Sequence, residues 1–181
     1  MAQASPDTLL GEAYAARRAH QPQAALAAFT QAAESARAAA NAETLARALA
    51  GIGQIHRDLG DLDQARSFYQ QAVDVCRTLN QPLHLAHTLR HLADVLRAQR
   101  EFFLSRSCYA EAQGLYSLHP DTAPLDLANT LRGRALLEGE CGETDWAIEI
   151  WSEALDLYRY ANVPAGVDEA TAHLNRLKQM S

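Results

Sequence analysis

The sequence predicts an all-α fold in which helical hairpins stack into a solenoid, and three observations lead to this prediction. Segments 45–72, 85–112 and 127–154 align with one another without gaps, at offsets of 40 and 42 residues. Leucines, small residues and aromatic residues return at the same places in each segment. Proline and asparagine mark the boundaries between segments. A fixed period of this size is typical of arrays in which each helical pair packs against its neighbours.

The recurring residues are of the types that closely packed helices need. Small side chains let two helix axes approach each other, and an aromatic ring fills the space toward the following pair. A weaker copy, residues 23–32, precedes the three segments and supplies one more aromatic residue. Trp146 stands one residue before a packing alanine, so we expect it to be partly exposed. The predicted small and aromatic core positions are Gly53, Ala93, Ala135, Ala65, Ser105, Ala147, Phe29, Tyr69, Tyr109 and Trp151.

Four hairpins and a terminal helix account for nearly the whole chain, which we predict to be a single domain, 1–181. Prolines begin several helices, because a proline at the first helical position loses no intrahelical hydrogen bond. Asparagines precede these starts, where they cap a new helix or end the previous one. The terminal helix has the polar outer face that the last element of a solenoid needs. The predicted hairpins span residues 5–40, 41–80, 81–121 and 122–162, and the capping helix spans 164–179.

The second hairpin carries the fullest version of a motif that resembles the tetratricopeptide repeat (TPR). Its period exceeds the ~34 residues usual for that family, so the chain is similar to a variant with a period of about 40 residues. Two later positions depart from the motif, because Arg100 stands in place of the turn glycine and Arg134 in place of a leucine. The motif residues of the second hairpin are Leu49, Ile52, Gly53, His56, Gly60, Ala65, Tyr69 and Ala72.

The resemblance implies a right-handed α–α superhelix whose first helices line a concave groove, and a non-enzymatic role in binding other proteins. The residues of the family's carboxylate clamp for chaperone C-termini are absent, so a chaperone tail is not the expected partner. Carrying the family's groove positions over to this chain gives ten candidate ligand contacts, which we call the predicted groove residues. They are Arg47, Gln54, Arg57, His87, Arg90, His91, Asp94, Arg97, Asn129 and Arg132.

The third hairpin places a row of histidines on one helical face. His84, His87, His91 and Asp94 are separated by three, four and three residues, a spacing that keeps side chains on the same side of a helix. A zinc site needs three or four ligands that converge on one point. His84 and Asp94 are ten residues apart, or about 15 Å along a helix axis. We therefore predict neither a metal nor a cofactor, and interpret the row as part of the groove.

The arginines favour an acidic ligand. All five that map to the groove point inward, and guanidinium groups suit carboxylates and peptide carbonyls. Because one aspartate cannot neutralise five arginines, we expect a net positive strip that holds an acidic or C-terminal peptide segment, or a partner helix. The alternatives are a merely solvated face and a self-assembling scaffold protein. In the latter, the acidic fourth hairpin would meet the third hairpin of a neighbouring copy. Its acidic residues are Glu138, Glu140, Glu143, Asp145, Glu149 and Glu153.

Charge, apolar runs and cysteine content bear on the ligand class and on the cellular location. A net charge of −6 argues against binding to nucleic acid. No apolar run reaches the length of a membrane span, and the first residues lack the pattern of a signal peptide. Three widely spaced cysteines are typical of a reduced, cytoplasmic protein. We expect a monomer or weak homo-oligomer.

Two short strings imitate catalytic motifs. The string 56-HRDL-59 lacks the asparagine that a kinase loop needs at position 63. The string 51-GIG-53 lacks the third glycine and the preceding strand of a dinucleotide site. A metal-dependent or hydrolytic enzyme that uses the histidine row is a further alternative. We nevertheless predict a protein-binding module that is not an enzyme.

Overall fold

The computed structural model describes residues 4–179, which form nine α-helices in successive hairpins and no strand. The prediction of an all-α array of hairpins is therefore confirmed. The first helix begins behind Ser5, whose hydroxyl accepts from the backbone N–H of Thr8 at 3.2 Å. The helices are α1 Pro6–Arg18, α2 Pro22–Ala38, α3 Ala42–Asp58, α4 Leu62–Cys76, α5 Pro82–Ala98, α6 Phe102–Leu118, α7 Pro124–Glu140, α8 Thr144–Tyr160 and α9 Pro164–Lys178.

The chain divides into two compact units. The N-terminal unit spans Met1–Thr88 and the C-terminal unit spans Leu89–Ser181, so the boundary falls inside α5. In the N-terminal unit, α2 packs against both α1 and α3, and α3 packs against α4. In the C-terminal unit, α7 packs against both α6 and α8, and α8 packs against α9. Each unit has its own apolar core.

The connections between helices repeat one turn at six places. At each of these places the second residue after the helix end adopts a left-handed conformation. The residue that follows it donates its N–H back to a carbonyl five positions earlier, as Asn41 does to Ala36 at 2.9 Å. These bonds satisfy carbonyls that the helix end leaves unpaired. The same turn forms at Arg100, with φ at +63°, although the motif glycine is missing there. The left-handed residues are His20, Ala40, Gly60, Arg100, Gly142 and Asn162.

Ala40 occupies a turn position whose backbone conformation favours glycine. Its φ is +51°, and an L-residue in this region carries a strain of about 1 kcal/mol that glycine avoids. We expect Ala40→Gly to raise the free energy of unfolding by about 0.5–1 kcal/mol. Ala27 is exposed within α2, so Ala27→Gly should lower that free energy by about 1 kcal/mol. Urea denaturation of both variants would measure these changes in the free energy of unfolding. A loss of stability in Ala40→Gly would contradict the idea that Ala40 is strained.

The predicted aromatic residues form the core. The side chains of Phe29, Tyr69, Tyr109 and Trp151 are at most 1% exposed, and the predicted small residues around them are also buried. The ring of Phe29 meets Tyr14 edge-on, with centroids 5.1 Å apart. Trp146 is 54% exposed, as its position before the packing alanine predicted. The core prediction is therefore confirmed.

Close approach between helices of the C-terminal unit depends on the missing side chains of two glycines. Gly133 on α7 lies against the ring of Tyr109, and Gly166 on α9 lies against the ring of Tyr158. A methyl group at either glycine would collide with the ring. These two contacts determine how closely α7 and α9 pack against the two tyrosines, and thus position the cavity side chains that α7 and α9 carry. Over residues 4–179, no helix is both long enough and apolar enough to cross a membrane.

Candidate functional site

An open cavity of about 400 Å³ lies within the C-terminal unit. Helix α5 contributes Arg90 and Asp94, α7 contributes Asn129 and Arg132, and α9 contributes Glu169. Four of the ten predicted groove residues therefore surround one space. The other lining residues are Leu125, Tyr158, Val163, Ala165 and Gly166.

Arg132 and Glu169 form a two-pronged ion pair at this cavity. The Nε and Nη2 groups of Arg132 each donate to a different carboxylate oxygen of Glu169, both at 2.7 Å. The hydrogen bond from Arg132 holds the pKa of Glu169 below its usual range, although burial opposes the shift. The two side chains remain 38% and 33% exposed, respectively. The pair is thus well formed but open to solvent.

Arg90 is held more loosely. Its Nη1 lies 3.8 Å from a carboxylate oxygen of Asp94, beyond normal hydrogen-bond length. Its Nη2 lies 3.1 Å from a ring nitrogen of His91, and its buried Nε has no hydrogen-bond partner among the described residues. The Nη groups of Arg90, which lines the cavity, therefore retain N–H donors for another acceptor.

Asp94 is committed to its neighbours. The hydroxyl of Tyr109 donates to it at 2.5 Å, and a ring nitrogen of His91 lies 3.7 Å from its other oxygen. Burial pushes the pKa of Asp94 upward, but the hydrogen bonds from His91 and Tyr109 outweigh burial and place it below the usual range. Asp94 is therefore a carboxylate at neutral pH and anchors this side of the cavity.

Asn129 is oriented by a residue from α8. The hydroxyl of Tyr158 donates to the side-chain oxygen of Asn129 at 2.9 Å. This bond occupies the acceptor of the amide and leaves its two N–H donors for other partners. Together, Arg90, Asn129 and Arg132 present hydrogen-bond donors on the surface of the cavity.

Comparison with known proteins relates the N-terminal part of the chain to a family and the fold to solved structures. Residues 5–78 match the family model of the tetratricopeptide repeat. The fold is similar to the crystal structure of BtubC (BKLC) from P. vanneervenii, with a TM-score of 0.77 and 17% identity over 90% of this chain and 68% of that one. It is also similar to nearly identical TPR-like repeats from a P. anserina protein named after kinesin light chain, with a TM-score of 0.76.

The latter match has 13% identity and covers 98% of this chain and 88% of the other. No curated protein matches the sequence. The family model and the repeated hairpin fold agree. Residues 5–78 therefore carry tetratricopeptide repeats, and the same hairpin fold continues through the described residues of the chain. Tetratricopeptide repeats generally mediate contacts between proteins.

The predicted groove residues of the N-terminal unit do not take part in the cavity. The guanidinium of Arg47 lies over the ring of Tyr14, 5.9 Å from its centroid. Gln54 donates to Asp58 at 2.9 Å, and Arg57 lies 3.7 Å from the same carboxylate. The fourth of these residues, His87, is exposed.

Arg97 and His91 belong to the C-terminal unit but do not line its cavity. Arg97 is paired with Glu140 on α7. The Nδ1 atom of His91 lies 3.7 Å from the carboxylate of Asp94. Among the described residues, no group of three or more His, Cys, Asp or Glu side chains is gathered around a point that a metal could occupy. His84, at the start of the histidine row, has its pKa lowered by burial and by the charge of Arg47, against the opposing effect of Glu43.

The charge balance differs from the sequence-based expectation of a net positive strip. Arg57, Arg90, Arg97 and Arg132 each have a carboxylate within ion-pair distance. The sequence-based expectation weighed only Asp94 against the arginines. Asp58, Glu140 and Glu169 add three further carboxylates, and the last two lie on other helices than the arginines they meet. Donor geometry, rather than surplus charge, is therefore what the site offers. The four carboxylates belong to Asp58, Asp94, Glu140 and Glu169.

Sequence reasoning missed Glu169 and a second ion pair, whose carboxylate is buried. Glu138 on α7 is fully buried and accepts two hydrogen bonds from Arg106, at 3.0 and 2.5 Å. Arg134 lies 4.0 Å away and donates to Gln113 at 2.5 Å. The departure of Arg134 from the repeat motif was the available signal, because an arginine at a core position requires a buried acceptor. The pair also removes Glu138 from the acidic surface that self-assembly would use.

Proposed function

We propose that this protein binds an extended acidic peptide segment of a partner protein in the cavity of its C-terminal unit. The observation that carries the proposal is the convergence of Arg90, Asn129 and Arg132 around one open space. The amide N–H groups of Asn129 and the loosely held guanidinium of Arg90 are donors suited to carboxylate and peptide oxygens. We infer a non-enzymatic role, because these groups orient a ligand without supplying a nucleophile.

The apolar part of the cavity supports an extended peptide as the ligand. Leu125 from α7 and Val163 and Ala165 near the start of α9 lie beside the charged groups. A peptide presents apolar and polar groups in alternation, which suits a surface of this kind. A small inorganic anion would leave the apolar side chains without a contact. We therefore favour a peptide over a free anion.

We propose a cytoplasmic location, which the free thiols of Cys76, Cys108 and Cys141 support because unpaired cysteines are typical of a reducing compartment. We infer a monomer or weak homo-oligomer without nucleic-acid binding. Self-assembly through the acidic fourth hairpin is the competing hypothesis. This hypothesis predicts oligomers that dissociate at high salt concentration and whose assembly is unaffected by substitutions in the cavity.

Binding of a labelled acidic peptide tests the proposal. We would measure the fluorescence anisotropy of a fluorescein-labelled peptide of alternating aspartate and serine, with asparagine replacing aspartate in the control peptide. Arg90→Gln should weaken binding ~10-fold, because a charge-assisted hydrogen bond is lost. Arg176→Gln removes the same charge from an exposed position on α9 outside the cavity and should leave the affinity nearly unchanged. Equal losses in both variants would mean that the peptide responds only to overall charge.

A further inference from the structure

We propose that Glu169 occupies the carboxylate-binding position of the cavity in the absence of a ligand, and that an acidic side chain of the peptide displaces it from Arg132. The inference rests on the proposed function and adds to it a named binding position, the guanidinium edge of Arg132. It also assigns α9 an inhibitory role in place of the purely capping role that the sequence indicated.

The geometry of the Arg132–Glu169 pair is that of a bound ligand. Two parallel N–H···O bonds of 2.7 Å join the guanidinium to both carboxylate oxygens, which is how arginine binds a carboxylate from any source. The carboxylate arrives from α9, whereas the guanidinium is fixed on α7. Both side chains line the same open cavity. An incoming carboxylate can therefore reach the atoms that Glu169 now contacts.

The solvent exposure of the Arg132–Glu169 pair favours the exchange of Glu169 for a carboxylate of the peptide. Both side chains are about one-third exposed, and ion pairs of this kind are weak because solvent screens them. The pair of Arg106 and Glu138 differs in its carboxylate, because Glu138 has no exposed surface and has no direct path into solvent, whereas Glu169 has one. Glu169, in contrast, can turn into solvent while α9 stays packed on α8 through Ala170 and Leu174.

Removing the internal carboxylate tests the exchange. With the aspartate–serine peptide as the probe, Glu169→Gln should tighten binding about fivefold, the value expected for removal of one exposed ion pair that competes with the ligand. Asp168→Asn is the matched control, because Asp168 is the exposed neighbour on α9 and does not line the cavity. It changes the net charge by the same amount and should leave the affinity within about a factor of 1.5.

The outcomes separate the exchange from the proposed function. If Arg132→Gln and Arg90→Gln lose binding but Glu169→Gln does not tighten it, the exchange is wrong and the binding site stands. If Asp168→Asn tightens binding as much as Glu169→Gln, long-range charge explains the effect and the exchange is also wrong. If the peptide binds all variants equally, or binds neither the original protein nor Glu169→Gln, the proposed site itself fails.

Discussion

Replacing Arg106 with methionine should lower the free energy of unfolding by about 3 kcal/mol, because it leaves the buried carboxylate of Glu138 without its main partner. Arg106 donates twice to Glu138, at 3.0 and 2.5 Å, and Glu138 has no exposed surface. Arg134 is 4.0 Å from the same carboxylate and can replace only part of the lost interaction. Thermal and urea denaturation monitored by circular dichroism would measure the loss.

An exposed ion pair supplies the control for this substitution. Arg159 lies 3.3 Å from Asp156 in the same unit, with the two side chains 60% and 79% exposed. Arg159→Met should therefore cost less than about 0.5 kcal/mol. Equal losses in the two variants would show that burial of Glu138 has no energetic consequence. A double variant, Arg106→Met with Glu138→Leu, should recover much of the stability, because it removes both members of the pair.

Adding one methyl group at Gly133 should lower the free energy of unfolding by about 2 kcal/mol through overpacking. A Cβ atom there would lie 2.5 Å from the hydroxyl oxygen of Tyr109 and 2.7 Å from its ring. The ring has no room to retreat, because Tyr109 is fully buried and its hydroxyl is bonded to Asp94 at 2.5 Å. Gly133→Ala should also disturb Asp94, which lines the cavity, and so weaken binding of the acidic peptide.

Gly114 provides the matched control, because it also lies within a helix but has nothing within 4 Å of an added Cβ. Gly114→Ala should raise the free energy of unfolding by about 0.5–1 kcal/mol, the usual gain in helix propensity. The same change from glycine to alanine should therefore lower the free energy of unfolding at one position and raise it at the other, and urea denaturation would measure both. A stabilising Gly133→Ala would mean that Tyr109 does not hold its position.

The repeat explains why so much of the fold could be predicted from the sequence. Positions such as Tyr109 and Ala135 return at a fixed interval because each helical pair solves the same packing problem. The core therefore follows from periodicity alone, and proline and asparagine indicate most of the helix starts. The turn at Arg100 formed without its glycine because the remaining hydrogen bonds suffice to hold a left-handed residue there.

The site was harder to predict because it depends on residues that the repeat does not specify. Arg90, Asn129 and Arg132 were identified from groove positions, but their partners come from elsewhere in the chain. Glu169 lies 37 residues after Arg132, and nothing in the local sequence indicates that they meet. Family positions can thus suggest which side chains line a site, whereas the balance of charge within it requires the three-dimensional arrangement.

Backbone chemical shifts during a peptide titration test the central claim most directly. We would add the aspartate–serine peptide to ¹⁵N-labelled protein and follow the amide resonances of the whole chain. The account predicts that the largest changes fall on residues of the cavity, namely Arg90, Asp94, Asn129, Arg132 and Glu169 and their immediate neighbours. Changes confined to the N-terminal unit, or no change at saturating peptide, would contradict it.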